Sequence, residues 1–200
     1  MNLIEIKKVL LLGPSSYALS DSDYSKIEQY DYIARTNKIL ESKQSCKTDI
    51  LFINSNCVKF YLTKVEKLLG KIVFTKRESE RNLLMQVEPR LHVYDLEQKW
   101  SHLMQLFSPH QPYYGTLIID YLSDYCEEVG VAGIDFYYNG FSKKENYIEG
   151  YYDLGDLSKE DPQHSIIKDL KYVKFLLNKK TNINLLQKTK EVYEELISKI

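Results

Sequence analysis

The sequence predicts an α/β protein whose sheet is Rossmann-like, doubly wound and mainly parallel. Short apolar runs alternate with longer amphipathic stretches along the chain, which is typical of strands joined by helices. The first apolar run, VLLL, has no polar alternation, as expected for a strand buried on both faces. The chain has 200 residues, enough for one full domain. We therefore expect a single domain over residues 1–200.

Six strands follow from apolar runs that are bounded by polar or turn-forming residues, at 9–12, 32–36, 50–53, 71–75, 91–94 and 129–134. Helical periodicity predicts helices at 58–69, about 96–107 and 116–128. Ile166, Leu170, Val173 and Leu177 then repeat at helical spacing, and a last helix is predicted at about 185–200. The long stretch before residue 164 has no clear pattern, so we expect a lid segment at about 138–162.

Composition excludes several classes of protein. The 27 Lys and Arg residues nearly balance the 28 Asp and Glu residues, so no basic excess favours nucleic-acid binding. No apolar run approaches the roughly 18 residues of a membrane span. The first residues do not resemble a signal peptide, and Cys46, Cys57 and Cys126 are too few for a disulfide framework. We expect a cytoplasmic protein, a location that includes a peripheral position at the inner face of the membrane.

Four predicted strands end in small or hydrogen-bonding residues. Gly13, Asn37, Asn54 and Asp135 each come directly or almost directly after a strand. In open α/β sheets, ligands bind beyond the carboxyl ends of the strands. Loops begin at strand ends and are polar in any case, so one such residue carries little information. The four together favour a crevice for a nucleotide or a sugar.

The turn at Gly13-Pro14-Ser15 can bring backbone N–H groups close to a phosphate, although it lacks both the G-x-G-x-x-G pattern and a P-loop lysine. His164 is the candidate general base. With Asp161 as N-cap and Pro162 as the first helical residue, it falls in a first helical turn, where the helix dipole disfavours the imidazolium. The alternative is a surface histidine. The histidines form no cluster with carboxylates at metal-ligand spacing, so no metal site is expected.

Several segments resemble those of the bacterial sialyltransferases of glycosyltransferase family 42. Residues 133–140, GIDFYYNG, resemble the family segment G-I-D-F-Y-x-N-G, and His164-Ser165 with Asp169 resembles its H-S-x-x-x-D. The turn at 13–15, Arg35-Thr36-Asn37 and the strand end at Asn54 match further family segments in the same order. The resemblance runs from about residue 8 to residue 177.

The resemblance implies an inverting, metal-independent sialyltransferase that uses CMP-sialic acid and needs no cofactor. It assigns the general base to His164 and a hydrogen bond to the leaving phosphate to Tyr137. The family's second leaving-group tyrosine falls on Lys143 by direct count, so Lys143 or Tyr147 is expected in that role. The residues implied in nucleotide binding are Gly13, Pro14, Ser15, Asn37, Asn54, Gly133, Ile134 and Asp135.

The resemblance also implies the partners: a nucleotide sugar donor and a glycan acceptor of the lipooligosaccharide or capsular polysaccharide type. A homo-oligomer is compatible with it, and no nucleic acid is expected. Two alternatives stay open, namely a transferase of another CMP-activated keto sugar acid and a catalytically inactive nucleotide- or glycan-binding protein of the same fold.

Overall fold

The computed structural model describes residues 6–15, 20, 23, 25–37, 47–136 and 164–200. Its strands are β1 (Ile6–Leu12), β2 (Tyr32–Thr36), β3 (Ile50–Ile53), β4 (Ile72–Thr75), β5 (His92–Asp95), β6 (Cys126–Ala132) and β7 (Ile183–Leu185). They form one sheet in the order β5-β4-β3-β2-β1-β6-β7, and every pairing is parallel. The predicted α/β, Rossmann-like fold is confirmed.

The α-helices of the described residues are α1 (Ser55–Leu62), α2 (Glu78–Val87), α3 (Glu97–Phe107), α4 (Tyr114–Tyr125), α5 (Ile166–Lys179) and α6 (Gln187–Ile197). Short 3-10 turns lie at Ile27–Gln29 and Val65–Leu68. None of the described helices is both long and apolar enough to cross a bilayer.

Strand β1 is buried on both faces, as its apolar sequence predicts. Val9 and Leu11 pack in a core with residues of α3, α4 and α5. Leu10 and Leu12 point to the opposite face and pack with Leu186. Because side chains alternate along a strand, a strand that is covered on both sides needs apolar residues at every position.

The chain changes winding direction at β1. Strands β2 to β5 lie in sequence order on one side of β1, while β6 and β7 lie on the other side. At the carboxyl end of this pair, Leu12 is opposite Ala132. Open parallel sheets bind ligands at such a reversal. The topology therefore places the candidate crevice between the turns that follow β1 and β6.

Several predicted boundaries are wrong. The helix predicted at 58–69 is α1 followed by the 3-10 turn, because Asn54 caps a helix that starts earlier. The helix predicted at 116–128 stops at Tyr125, since β6 already begins at Cys126. Helix α2 and strand β7 were not predicted. Only Leu84 of α2 is buried, so its apolar periodicity is weak. Leu185 belongs to β7, and the last helix begins at Gln187.

The turns after β1 and β6 are in direct contact at two glycines. A Cβ on Gly13 would lie 2.3 Å from the carbonyl oxygen of Gly133. Gly133 itself has a φ of +69°, a conformation that L side chains rarely adopt. Backbone therefore packs on backbone here, and neither turn can move aside without breaking the end of the β1–β6 ladder.

We predict that Gly13→Ala lowers the free energy of unfolding by about 2–3 kcal/mol, because the added methyl group meets backbone rather than a flexible side chain. Gly115→Ala is the matched control. Its added Cβ would lie 3.7 Å from the nearest side-chain atom, and alanine is favoured in a helix, so stability should stay equal or rise. Urea unfolding of both variants measures this, and an equal loss in the two would contradict the packing described.

Candidate active site at the carboxyl edge of the sheet

The turn after β1 is hydrogen-bonded to the turn after β6. The Gly13 amide donates to the Ala132 carbonyl at 2.7 Å, and the Ser15 amide donates to the Gly133 carbonyl at 2.9 Å. The Ser15 hydroxyl donates to Oδ2 of the buried Asp135 at 3.1 Å. These two amides are thus engaged within the protein, and proline has none. The sequence suggested that the amides of this turn approach a phosphate. In the structure, the amides of Gly13 and Ser15 instead bind the turn after β6, and the Ser15 hydroxyl positions Asp135.

Asn37 and Asn54 are linked at the ends of β2 and β3. Asn37 has a φ of +62°, and its side-chain oxygen accepts from the Asn54 amide at 3.1 Å. The side-chain oxygen of Asn54 accepts from the Cys57 amide at 3.0 Å and so caps α1. Among the described residues, nothing accepts from the Asn54 Nδ2 group. Asn54 can therefore meet a ligand as a hydrogen-bond donor.

The segment that leads into α4 reaches both sides of this edge. The Tyr114 hydroxyl donates to the Ile53 carbonyl at 2.9 Å, beside Asn54. Gly115 lies against Ile134, the residue before Asp135, since a Cβ there would be 3.7 Å from the Ile134 side chain. The first turn of α4 thus packs between the ends of β3 and β6.

His164 is held by the same segment. Its Nδ1 lies 2.9 Å from the Gln111 carbonyl oxygen, and the two residues form an isolated parallel bridge. Its ring stacks on Tyr113, with centroids 4.5 Å apart and planes at 17°. A carbonyl oxygen only accepts, so Nδ1 carries the proton and the neutral ring has its lone pair on Nε2. This is the tautomer that can accept a proton at Nε2.

The expected position of His164 in a first helical turn is wrong. The N-cap of α5 is Ser165, whose hydroxyl accepts from the Lys168 amide, and His164 precedes that cap. Asp161 and Pro162, expected to begin the helix, lie outside the described residues. The Gln111 carbonyl and the Tyr113 ring, rather than a place in the first turn of α5, therefore fix the position of the imidazole.

Asp169 anchors the segment that holds His164. It is 1% exposed, and its Oδ1 accepts from the Tyr113 amide at 3.0 Å. Burial raises the pKa of Asp169 to about 7, although the hydrogen bond from the Tyr113 amide favours the ionised form. Residue Tyr113 is the N-cap of α4 and provides no side-chain cap of its own, so Asp169 supplies the acceptor from α5. The sequence indicated Asp169 only as part of a motif, and it did not indicate Tyr113 at all.

Some expected site residues lie outside the described part of the chain. These are Tyr137, Lys143 and Tyr147, together with the lid segment at 138–162. Within the described residues, no three His, Cys, Asp or Glu side chains lie close enough to hold a metal ion. The structure brings Ser15 and Asp135 together, and it links His164 to the ends of β3 and β6 through the first turn of α4.

No protein-family model matches the sequence, and no curated protein matches it. Among solved structures, the fold is similar to the crystal structure of a mammalian sialyltransferase, with a TM-score of 0.61 and 12% sequence identity. The match covers 92% of this chain and 70% of that chain. The crystal structure of a mammalian sialyltransferase in complex with Gal-beta-1-3GalNAc-ortho-nitrophenol gives a TM-score of 0.59 at the same identity and the same coverage. The chain therefore has the fold seen in sialyltransferases.

We predict that Asp169→Asn changes the pH dependence of stability. A carboxyl group whose pKa is higher in the folded protein binds its proton more tightly there, so its contribution to stability is lost as pH rises from about 4 to about 7. Asparagine mimics the protonated form and does not titrate. Relative to wild type, the variant should gain about 2–3 kcal/mol of unfolding free energy between about pH 5 and about pH 8.

Asp124→Asn is the control for this measurement. Burial opposes ionisation of Asp124, but its ion pairs with Lys180 and Lys99 outweigh that effect and lower its pKa. Asp124 is then ionised at both pH values, so its replacement should change stability by the same amount at each. If the Asp169 variant behaved in that way too, the carboxyl group would not titrate as described.

Proposed function

We propose that this chain transfers sialic acid from CMP-sialic acid to a hydroxyl group of a glycan acceptor, with inversion and without a metal ion. The observation that carries the proposal is the orientation of His164, whose Nδ1–H donates to the Gln111 carbonyl and leaves Nε2 as the basic nitrogen. The fold seen in sialyltransferases and the family resemblance of the segments around His164 and Asp135 support the same reaction.

The proposed role of His164 is that of general base. An acceptor hydroxyl must lose its proton as its oxygen bonds to the anomeric carbon, and Nε2 of the neutral imidazole takes that proton. Stacking on Tyr113 and the hydrogen bond to Gln111 restrict the ring, so little reorganisation is needed at the moment of transfer. A single displacement of this kind inverts the donor carbon.

The donor is proposed to lie at the ends of β1, β3 and β6. A nucleotide offers hydroxyl and amino donors to the Asp135 carboxylate and oxygen acceptors to the Asn54 amide group. CMP leaves with one phosphate, whose growing negative charge hydrogen-bond donors can stabilise without Mg²⁺. We assign that role to Tyr137, with Lys143 or Tyr147 as the second donor.

The acceptor is proposed to be a bacterial surface glycan of the lipooligosaccharide or capsular polysaccharide type. A donor panel tests the function: CMP-sialic acid, other CMP-activated keto sugar acids and unrelated nucleotide sugars, each with a mixed set of glycan acceptors and in the presence of EDTA. We expect acceptor-dependent CMP release with CMP-sialic acid and no effect of EDTA. Release with another CMP sugar alone would identify the alternative donor, and binding without release would indicate the inactive form.

We predict that His164→Ala lowers the transfer rate by about 10²–10⁴-fold, because a positioned base contributes that much. The affinity for CMP should change far less, since the base faces the acceptor.

His102→Ala is the matched control for this variant. His102 is exposed on α3 and is not one of the residues that hold His164 or form the strand ends of the candidate site, so its loss should leave the rate unchanged. Near-normal transfer by His164→Ala, with CMP affinity intact, would exclude His164 as the base.

A further inference from the structure

One face of α5 is exposed and combines apolar with basic side chains. Ile167, Lys171, Lys174 and Phe175 recur at i, i+4, i+7 and i+8, so they share one face of the helix. Ile167 is 50% exposed and Phe175 is 49% exposed. The opposite face is buried in the core through Asp169, Leu170, Val173 and Leu176.

The charge of this face is not balanced by the helix itself. The one acidic residue of α5 is Asp169, which is buried on the other face. Lys168 donates to the carbonyl groups of Phe107 and Ser108. Lys171 and Lys174 are exposed, and neither forms an ion pair within the part of the chain that the structure describes.

Helix α6 differs from α5 in that its lysines are paired with glutamates. The two lysines of α6 each face a glutamate of the same helix: Lys188 lies 3.0 Å from Glu191, and Lys190 lies 3.7 Å from Glu194. The whole chain has a formal charge of -1, so the positive face of α5 is a local feature rather than a reflection of overall charge. Its charge is complementary to an anionic surface.

The exposed side chains of Ile167 and Phe175 indicate which kind of anionic surface this face would contact. A helix that lies in a membrane interface inserts apolar side chains while its lysines meet the headgroups. Helix α5 has 14 residues and is therefore about 21 Å long, enough to lie across several lipid headgroups. Ile167 and Phe175 lie on either side of Lys171 and Lys174 along the helix, and this combination fits a membrane interface better than a purely ionic contact.

We propose that the exposed face of α5, defined by Ile167, Lys171, Lys174 and Phe175, docks on an anionic lipid surface. His164 lies two residues before the first residue of this helix. Docking therefore brings the candidate base to a membrane surface, where a lipid-linked glycan would present its acceptor hydroxyl. This last step rests on the proposed function, whereas the docking itself does not.

Co-sedimentation with vesicles tests the proposal, using phosphatidylcholine alone and an equimolar mixture of phosphatidylcholine with phosphatidylglycerol. We expect the full chain to bind only the anionic vesicles, and less strongly as salt rises. Each lysine near an anionic surface contributes about five-fold to binding, so Lys171→Gln/Lys174→Gln should weaken it about 25-fold. Lys188→Gln/Lys190→Gln removes the same charge from α6 and should change binding by less than about two-fold.

Two results would overturn the proposal. One is that the wild-type protein binds both kinds of vesicle equally. It counts equally against the proposal if the wild-type protein binds neither kind, which is the result expected if other parts of the protein cover this face. The other is an equal loss in the two double variants, which would mean that total charge rather than α5 governs binding. Transfer to a soluble acceptor is measured alongside and should stay unchanged in both double variants. If wild type transfers nothing, the proposed function fails while the vesicle result still decides the docking.

Discussion

A buried hydrogen bond between the Tyr113 amide and the Asp169 carboxylate determines where the candidate base lies. The bond joins α5 to the segment that leads into α4, and that segment holds His164 through the Gln111 carbonyl and the Tyr113 ring. The same segment contacts the ends of β3 and β6 through Tyr114 and Gly115. One short segment thus supports both the base and the strand ends proposed to bind the nucleotide. Burying a carboxyl group there opposes its ionisation, which explains its raised pKa.

The reversal of the sheet at β1 provides the second constraint. Two glycines let the turns after β1 and β6 touch, and the Ser15 hydroxyl then holds Asp135. Several polar groups at this edge are therefore hydrogen-bonded to one another within the protein. A ligand bound here would meet a preorganised edge. The side-chain oxygen of Asn54 caps α1, and its Nδ2 group can donate a hydrogen bond to the ligand. Such preorganisation would reduce the reorganisation that the proposed transfer requires.

Much of the fold could be predicted from the sequence, because strands buried on both faces leave unbroken apolar runs. The predicted bounds of β2 and β3 agree with the structure for this reason. Helix α2 was missed because one buried residue gives little periodicity, and β7 was missed because three residues carry almost no pattern. Local signals also failed at His164: Asp161-Pro162 suggested a helix start there, but α5 begins at Ile166 with Ser165 as its N-cap. The contact of Asp169 with Tyr113 spans 56 residues and has no local signature.

The tautomer of His164 decides whether its Nε2 atom can act as the proposed base. Long-range ¹⁵N–¹H NMR correlations of the imidazole ring report that tautomer directly. The signals of His164 are assigned by their loss in His164→Gln. The hydrogen bond to the Gln111 carbonyl predicts that the neutral ring carries its proton on Nδ1, with Nε2 unprotonated and able to accept. A neutral ring protonated at Nε2 would contradict the geometry described and would remove the basic nitrogen from the position that the proposed transfer needs.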